Sequence, residues 1–314
     1  MITTLAGENS FALGNELGLL VQKFLSEFDA MGLERIDGEE ADFNKISEAL
    51  NSLPFLAGKK LVVLRSASAN KQFIESAEDL LKDLPETTDV ILVEPKLDKR
   101  SSYYKFLKKA TDFKEFNALD ENGLARWLVE IAKQKDASIS PADARFLVQR
   151  LGLNQELLKN SLDILLLASD KITRKTIEEM TEPTPQSKVF DLLEAAFNGR
   201  TKLALELYDD QRAQKVEPLA IIAMIAWQLK ILAIIKAAGQ KPGLRQAQPK
   251  PAEIAQESKI NPFVINKNMA LARQLPLARV QQLVADLLEL DVRLKTESID
   301  ADEALRLYLL NLAS

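Results

Sequence analysis

The sequence predicts an α/β domain followed by all-α domains, and three observations carry that prediction. Short β-rich runs, LVVL at 61–64 and VILV at 90–93 the clearest, alternate with amphipathic segments through the first third of the chain. Uninterrupted runs of this kind belong to strands buried on both faces of a parallel sheet. After about Asp120 there is no further strand signal. Glu182-Pro183-Thr184-Pro185 then breaks a chain that is helical on both sides, because two prolines two apart cannot continue a helix and favour an extended linker.

Strands are predicted in order at 2–5, 33–36, 61–64, 90–93 and 113–116, with helices at about 10–25, 42–51, 71–82 and 101–110. Such alternation implies an α/β layer with right-handed crossovers. Ser140-Pro141-Ala142-Asp143 opens the next helix: Ser caps, Pro suits the first turn and Asp stands at the capping-box position. That helix runs to Arg150, and Gly152 supplies the stop. Helices at 156–168 and about 173–180 complete a small bundle, too short to be very stable alone. Beyond the prolines, helices are predicted at 187–198, 200–214, 217–238, 262–272, 276–295 and 300–312, with an exposed Pro/Gln/Lys loop at 239–251. The predicted domains are therefore 1–138, 139–183 and 184–314, a division that suits a chain of 314 residues.

Composition narrows the chemistry. A formal net charge of −5 excludes a generally basic nucleic-acid coat but leaves room for a local basic patch. With no Cys and no His, the chain has no disulfides, thiol nucleophiles, Cys/His zinc sites, His bases or Ser-His-Asp triads. Carboxylates, Lys, Tyr and a carboxylate-held Mg²⁺ remain available. The absence of cysteine fits a reducing cytoplasm, and MITTLAGENS at the start has neither a basic nor an apolar export region, so the expected location is cytoplasmic. The run LAIIAMIAWQLKILAII at 219–235 is apolar almost all round, but Gln228 and Lys230 lie near its middle. A central Lys costs about 2.5–3.5 kcal/mol on insertion scales, so the run is read as a core helix with no membrane partner.

Alternating strands and helices followed by a small helical bundle call for a search for a phosphate loop, GxxxxGK[ST]. After the first strand, Gly7 and Gly14 are present, but no Lys or Thr follows, and Glu8 puts a negative charge where phosphate would sit. At Gly58-Lys59-Lys60, Leu53 holds the place of the first Gly and Lys60 that of the hydroxyl. Neither is a working phosphate loop. Glu94 ends the VILV strand, where a Mg²⁺-holding acid would stand, but Pro95 follows at once and the carboxylate reads as a solvated loop residue. No catalytic residue, cofactor site or metal site is assigned.

Two stretches remain. Lys96, Lys99, Arg100, Lys105, Lys108, Lys109 and Lys114 interleave with Tyr103, Tyr104 and Phe106. They form either a phosphate-contacting surface or an amphipathic helix whose lysines face water while Tyr104 and Leu107 pack inward. In NSLPFLAGKKLVVLR at 51–65, large apolar side chains crowd a Pro-containing turn between a helix and a buried strand. Such a loop is either packed under something or offered to a partner. The residues taken alone favour burial, although an exposed aromatic-aliphatic pair on a rigid turn is the physical form of an interface hot spot.

The chain resembles the delta subunits of bacterial DNA polymerase III, clamp-loader proteins that open the sliding clamp. The resemblance lies in ordered blocks along nearly the whole length: SLPFLAGKKLVVLR at 52–65, VFDLLEAAFNGRTKLALEL at 189–207, EPLAIIAMIAWQLKIL at 217–232, NPFVINKNMALARQL at 261–275 and LLELDVRLKTESID at 287–300. It implies a degenerate AAA+ (P-loop-like) α/β core, a small three-helix lid domain and a C-terminal helical collar domain for oligomerisation. It also implies no ATP hydrolysis, no cofactor and no active site of the chain's own, nucleotidyltransferase activity belonging to the whole polymerase complex. The Ser-Arg-Cys motif of the ATPase-stimulating partner cannot occur in a chain without Cys.

By the resemblance, the clamp contact is a hydrophobic pair in the loop after the second helix. Carried over by position it falls on Phe55 with Leu56 or Leu53, within Leu53, Pro54, Phe55 and Leu56, where Pro54 stands in place of a leucine found in some relatives. The implied partners are the sliding clamp (the beta subunit), the motor subunits and the delta-prime subunit through the collar, and primer-template DNA through the complex. Lys96, Lys99, Arg100, Lys105, Lys108 and Lys109 are the candidates for direct DNA contact. The competing readings are a nucleotide-binding AAA+ motor subunit with a divergent phosphate loop and a helical adaptor unrelated to replication.

Overall fold

Strand runs and capped helices assemble the first compact unit, Met1–Leu119, and helices build the second, Asp120–Ser314. The computed structural model describes residues 1–54, 57–239 and 250–312, with only the backbone of residue 186.

In the first unit, β1 (Ile2–Ala6), β2 (Leu33–Asp37), β3 (Lys60–Arg65), β4 (Thr88–Glu94) and β5 (Asp112–Glu115) alternate with α1 (Ser10–Glu27), α2 (Phe43–Asn51), α3 (Lys71–Lys82) and α4 (Ser102–Ala110). All five strands pair in parallel, in the order β2-β3-β4-β1-β5. Period-two alternation divides the strands between two cores. Leu61 and Val63 face α1 with Leu13, Val21 and Phe24. Val62 and Leu64 face the opposite way and pack with Ile46, Leu50, Phe73 and Leu107 of α2, α3 and α4. Each of these helices starts on a side-chain oxygen: Asn9, Asp42, Asn70 and Ser101 accept from the backbone amide three positions on.

The second unit contains α5 (Glu121–Gln134), α6 (Pro141–Leu151), α7 (Gln155–Ala168), α8 (Arg174–Met180), α9 (Pro185–Phe197), α10 (Thr201–Ala213), α11 (Pro218–Ala238), α12 (Pro251–Ser258), α13 (Pro262–Gln274), α14 (Leu277–Thr296) and α15 (Ala301–Leu312). Three features depart from the sequence reading. Helix α5 covers residues to which the sequence reading assigned no element; it packs on α6 and α7, and the first compact unit ends at Leu119, short of the expected 138. A two-stranded parallel pair, β6 (Ser138–Ile139) and β7 (Lys171–Ile172), lies where no strand was expected. Helix α12 follows the low-complexity stretch, whose residues 240–249 lie outside the described ones.

Thr184 caps α9 through the Ser187 amide, and its own amide donates to the Arg150 carbonyl at 3.2 Å, so the proline break is tied to the end of α6. Helix α11 is the hub of the remainder: α9, α13, α14 and α15 pack on it, and Ile221, Ile225, Leu229 and Leu232 are wholly buried. By length and composition it is the one helix among the described residues that could cross a membrane, yet half of its most apolar window is buried inside the fold. It is a core helix, as its sequence suggested.

Candidate functional site

The loop between α2 and β3 has firm roots. Helix α2 ends with the Ser52 amide donating to the Glu48 carbonyl at 2.8 Å. Strand β3 opens with the Lys60 amide donating to the Thr87 carbonyl, also at 2.8 Å. The buried Lys60 ammonium donates to Ser52 Oγ at 2.8 Å and pairs with Glu34 at 2.7 Å, closing the mouth of the loop. Lys59 pairs with Asp89 at 2.8 Å and lies over the Phe28 ring. Opposite, the turn Ala30–Gly32 fits against the loop's end so closely that a Cβ on Gly32 would stand 2.3 Å from the Lys59 carbonyl oxygen.

From these roots the loop turns Leu53 outward. Leu53 is 72% exposed and Pro54 is half-buried, while Phe55 and Leu56 lie outside the described residues. The burial that the residues alone favoured is overturned at Leu53. Sequence reasoning also missed Met31, 68% exposed beside Gly32, and the role of Lys60. A charge directly before the apolar run LVVL was the available signal for Lys60, since a buried ammonium needs partners.

A second location is the crevice beyond the carboxyl ends of β1, β4 and β5, where doubly wound sheets bind ligands at the point where the strand order reverses. Here it is occupied by the chain itself. The Gly7 amide donates to the Glu94 carbonyl at 3.1 Å and the Asn9 amide to the Phe116 carbonyl at 3.0 Å. Gly7 adopts φ +116°, and a Cβ there would meet the Phe116 oxygen at 2.2 Å. Glu94 is not solvated, as had been expected; it is fully buried. Its carboxylate accepts from the Ser68 amide at 3.0 Å, the Ser68 hydroxyl at 2.6 Å and the Tyr103 hydroxyl at 3.2 Å. Burial pushes the Glu94 carboxyl above its usual value against the pull of these bonds, and burial beside Glu94 also raises the Tyr103 phenol. Among the described residues, no group of three or more carboxylates is placed to hold a metal ion.

The basic stretch divides between the loop before α4 and the outer side of α4. Lys96, Lys99, Arg100, Lys105, Lys108 and Lys109 are all exposed, whereas Tyr103, Tyr104 and Leu107 pack inward. Much of the positive charge is committed. Lys99 pairs with Glu115, Arg100 with Asp98 at 3.4 Å, and Lys114 with Glu16 at 2.7 Å, while Lys108 lies over the Tyr104 ring.

In the second unit an apolar groove of about 470 Å³ runs between α11 and α14, lined by Leu219, Ala223, Ala226, Val284 and Leu288. It ends at the Lys295–Asp291 pair. Leu219, Val284 and Leu288 are 50%, 42% and 62% exposed, a continuous apolar surface of the kind that marks association. In the same unit, Tyr208 and Arg212 of α10 both donate to Asp302 of α15, tying these two helices together.

Two family models match these two regions. The model for the DNA polymerase III delta subunit matches residues 4–117, and the model for the C-terminal domain of the same delta subunit matches residues 186–312. The chain belongs to the DNA polymerase III delta subunit family. Along its length this delta-family chain is 24% identical to DNA polymerase III subunit delta of Bacillus subtilis, covering 98% of its own residues and 91% of the relative's. The solved structure of the Bacillus subtilis DNA clamp loader delta protein shares its fold, with a TM-score of 0.80 at 21% identity over 99% of this delta chain and 95% of that one. The α/β sheet, the helical bundle and their order along the chain are thus features of delta subunits, and the sequence resemblance is borne out.

Proposed function

We propose that this chain is the clamp-loader subunit that grips the replicative sliding clamp through the α2–β3 loop and opens its ring for loading onto primed DNA. One observation carries the reading: Leu53 stands 72% exposed on a loop whose ends are fixed by Lys60, Lys59 and Gly32. Leu53, Pro54, Phe55 and Leu56 enter an apolar pocket on one clamp protomer near its interface. Their binding energy favours a protomer shape that no longer fits its neighbour, and the ring opens. Pro54 stiffens the turn and lowers the cost of ordering on docking.

The remaining parts follow from the same reading. The α/β unit is a degenerate AAA+ core that neither binds nor hydrolyses ATP; the Phe116 backbone and Glu94 in the switch-point crevice support this. Residues 139–183, with α5 packed on them, serve as lid and 184–314 as collar, and the α11–α14 groove receives the motor and delta-prime subunits. The chain works in the bacterial cytoplasm, and ATP on its partners governs when the loop is presented. Pairing of Lys99 and Arg100 with carboxylates favours clamp contact over direct DNA contact as the chain's own task.

The test is binding of the purified chain to its cognate clamp. Leu53→Ala and Phe55→Ala each weaken binding at least about tenfold with the thermal midpoint unchanged. If loss of binding only tracks loss of folded protein, the loop residues are core residues and the reading falls. Titration with ATP gives no binding; saturable ATP binding would favour the motor-subunit reading.

A further inference from the structure

We infer that Lys60 is a positioning residue for the clamp-contact loop: by joining Ser52 to Glu34 it holds the two ends of the loop together and presents its apolar residues ready for docking. The inference rests on the clamp-contact reading and adds to it the device that readies the loop. The Lys60 side chain is 9% exposed, with Nζ 2.8 Å from Ser52 Oγ and 2.7 Å from Glu34 Oε2. The groups it joins belong to rigid elements, the closing turn of α2 and strand β2.

Nothing in the packing of β3 calls for a charge at this position. Lys60 shares a face with Val62 and Leu64, where a Met side chain would fill the same space without a desolvation cost. What an ammonium supplies and an apolar side chain cannot is a link to the far end of the loop. Lys59 is anchored to Asp89 and the Phe28 ring, which secures the strand end alone. With the mouth shut, fewer loop conformations compete with the docked one, and less ordering is left to be done at the clamp.

The experiment measures clamp affinity, thermal midpoint and amide exchange over the loop for the full chain and five variants. Ser52→Ala weakens clamp binding about threefold to tenfold and Lys60→Met about fivefold to twentyfold, and both speed exchange at residues 57–59. Ser52→Thr, which keeps the hydroxyl, binds within about twofold of wild type. The double variant Ser52→Ala/Lys60→Met is no weaker than Lys60→Met, because Ser52 acts through Lys60. Leu53→Ala is the control for the contact itself.

If Ser52→Ala and Lys60→Met bind within about twofold of wild type while Leu53→Ala is weak, Lys60 serves the fold only and the inference is overturned. An affinity loss that merely follows the folded fraction overturns it as well; Ser52→Ala, at a partly exposed helix end, keeps the test readable should Lys60→Met fold poorly. If Leu53→Ala binds like wild type too, the clamp-contact reading itself fails, and the inference falls with it.

Discussion

Glu94 and Ser68 are joined twice, the amide and the hydroxyl of Ser68 both donating to one buried carboxylate at the end of β4. The folded-state pKa of Glu94 is raised by burial. Its contribution to stability is therefore complete below the ordinary carboxylate value and is lost as pH rises through the raised one. Glu94→Gln, which keeps an acceptor for Ser68 and does not ionise, escapes this loss. Melting temperatures from about pH 4 to about pH 8 will show the gap moving in favour of the Gln variant as pH rises above the ordinary carboxylate value, and levelling off once the raised one is passed. A gap that stays constant with pH would mean that Glu94 titrates as an ordinary carboxylate.

Leu50 and Leu53 stand three positions apart, and the two leucines are predicted to behave oppositely. Leu50 is wholly buried under the sheet, so Leu50→Ala should cost about 2–5 kcal/mol of stability in a denaturant titration. Leu53 is 72% exposed, and Leu53→Ala should change stability by no more than about 0.5 kcal/mol while still impairing clamp binding. Equal destabilisation by the two variants would contradict the outward placement of Leu53.

Between α10 and α15, Asp302 is held below the usual carboxylate range by its hydrogen bond from Arg212, with Tyr208 adding a second. A depressed folded-state pKa means that stability is present above the ordinary value and lost as pH falls through the depressed one. Tyr208→Phe should lower stability near neutral pH by about 1 kcal/mol, and Asp302→Asn should flatten the acid limb of the stability curve. An unaltered acid limb in Asp302→Asn would show that this cluster is not what acid breaks.

Leu288 is 62% exposed in the α11–α14 groove, so Leu288→Asp should fold normally. Under the proposed assembly it should nonetheless abolish co-elution with the motor and delta-prime subunits on gel filtration, because an unpaired carboxylate is costly in a closed apolar interface. Normal co-elution would place the assembly interface on another face.

The sheet and most helices were legible because their signals are local. LVVL and VILV could be little else than buried strands, and Ser140 with Asp143 marks a helix start that the structure reproduces through the Ser140 hydroxyl. Helix α12 was hidden because its eight residues follow a Pro/Gln/Lys stretch. Strands β6 and β7, two residues each, are too short to display any period. Glu94 was misread because its environment is made by Ser68 and Tyr103, which only tertiary folding brings to it. At the α2–β3 loop an apolar turn has the same composition whether it faces inward or outward; the exposure of Leu53, beside ends fastened by Lys60, Lys59 and Gly32, is set by tertiary contacts that composition does not show.

The corner shared by Gly7 and Phe116 has a consequence for how such a chain can change. Any side chain introduced at residue 7 begins inside the backbone that follows the fifth strand, so no lone exchange there can be accommodated without shifting that segment. To hollow out the corner, two distant stretches would have to be rewritten together. Small mutational steps favour drift elsewhere on the surface, and this filled corner is a trait that descendants of the chain will tend to inherit unaltered.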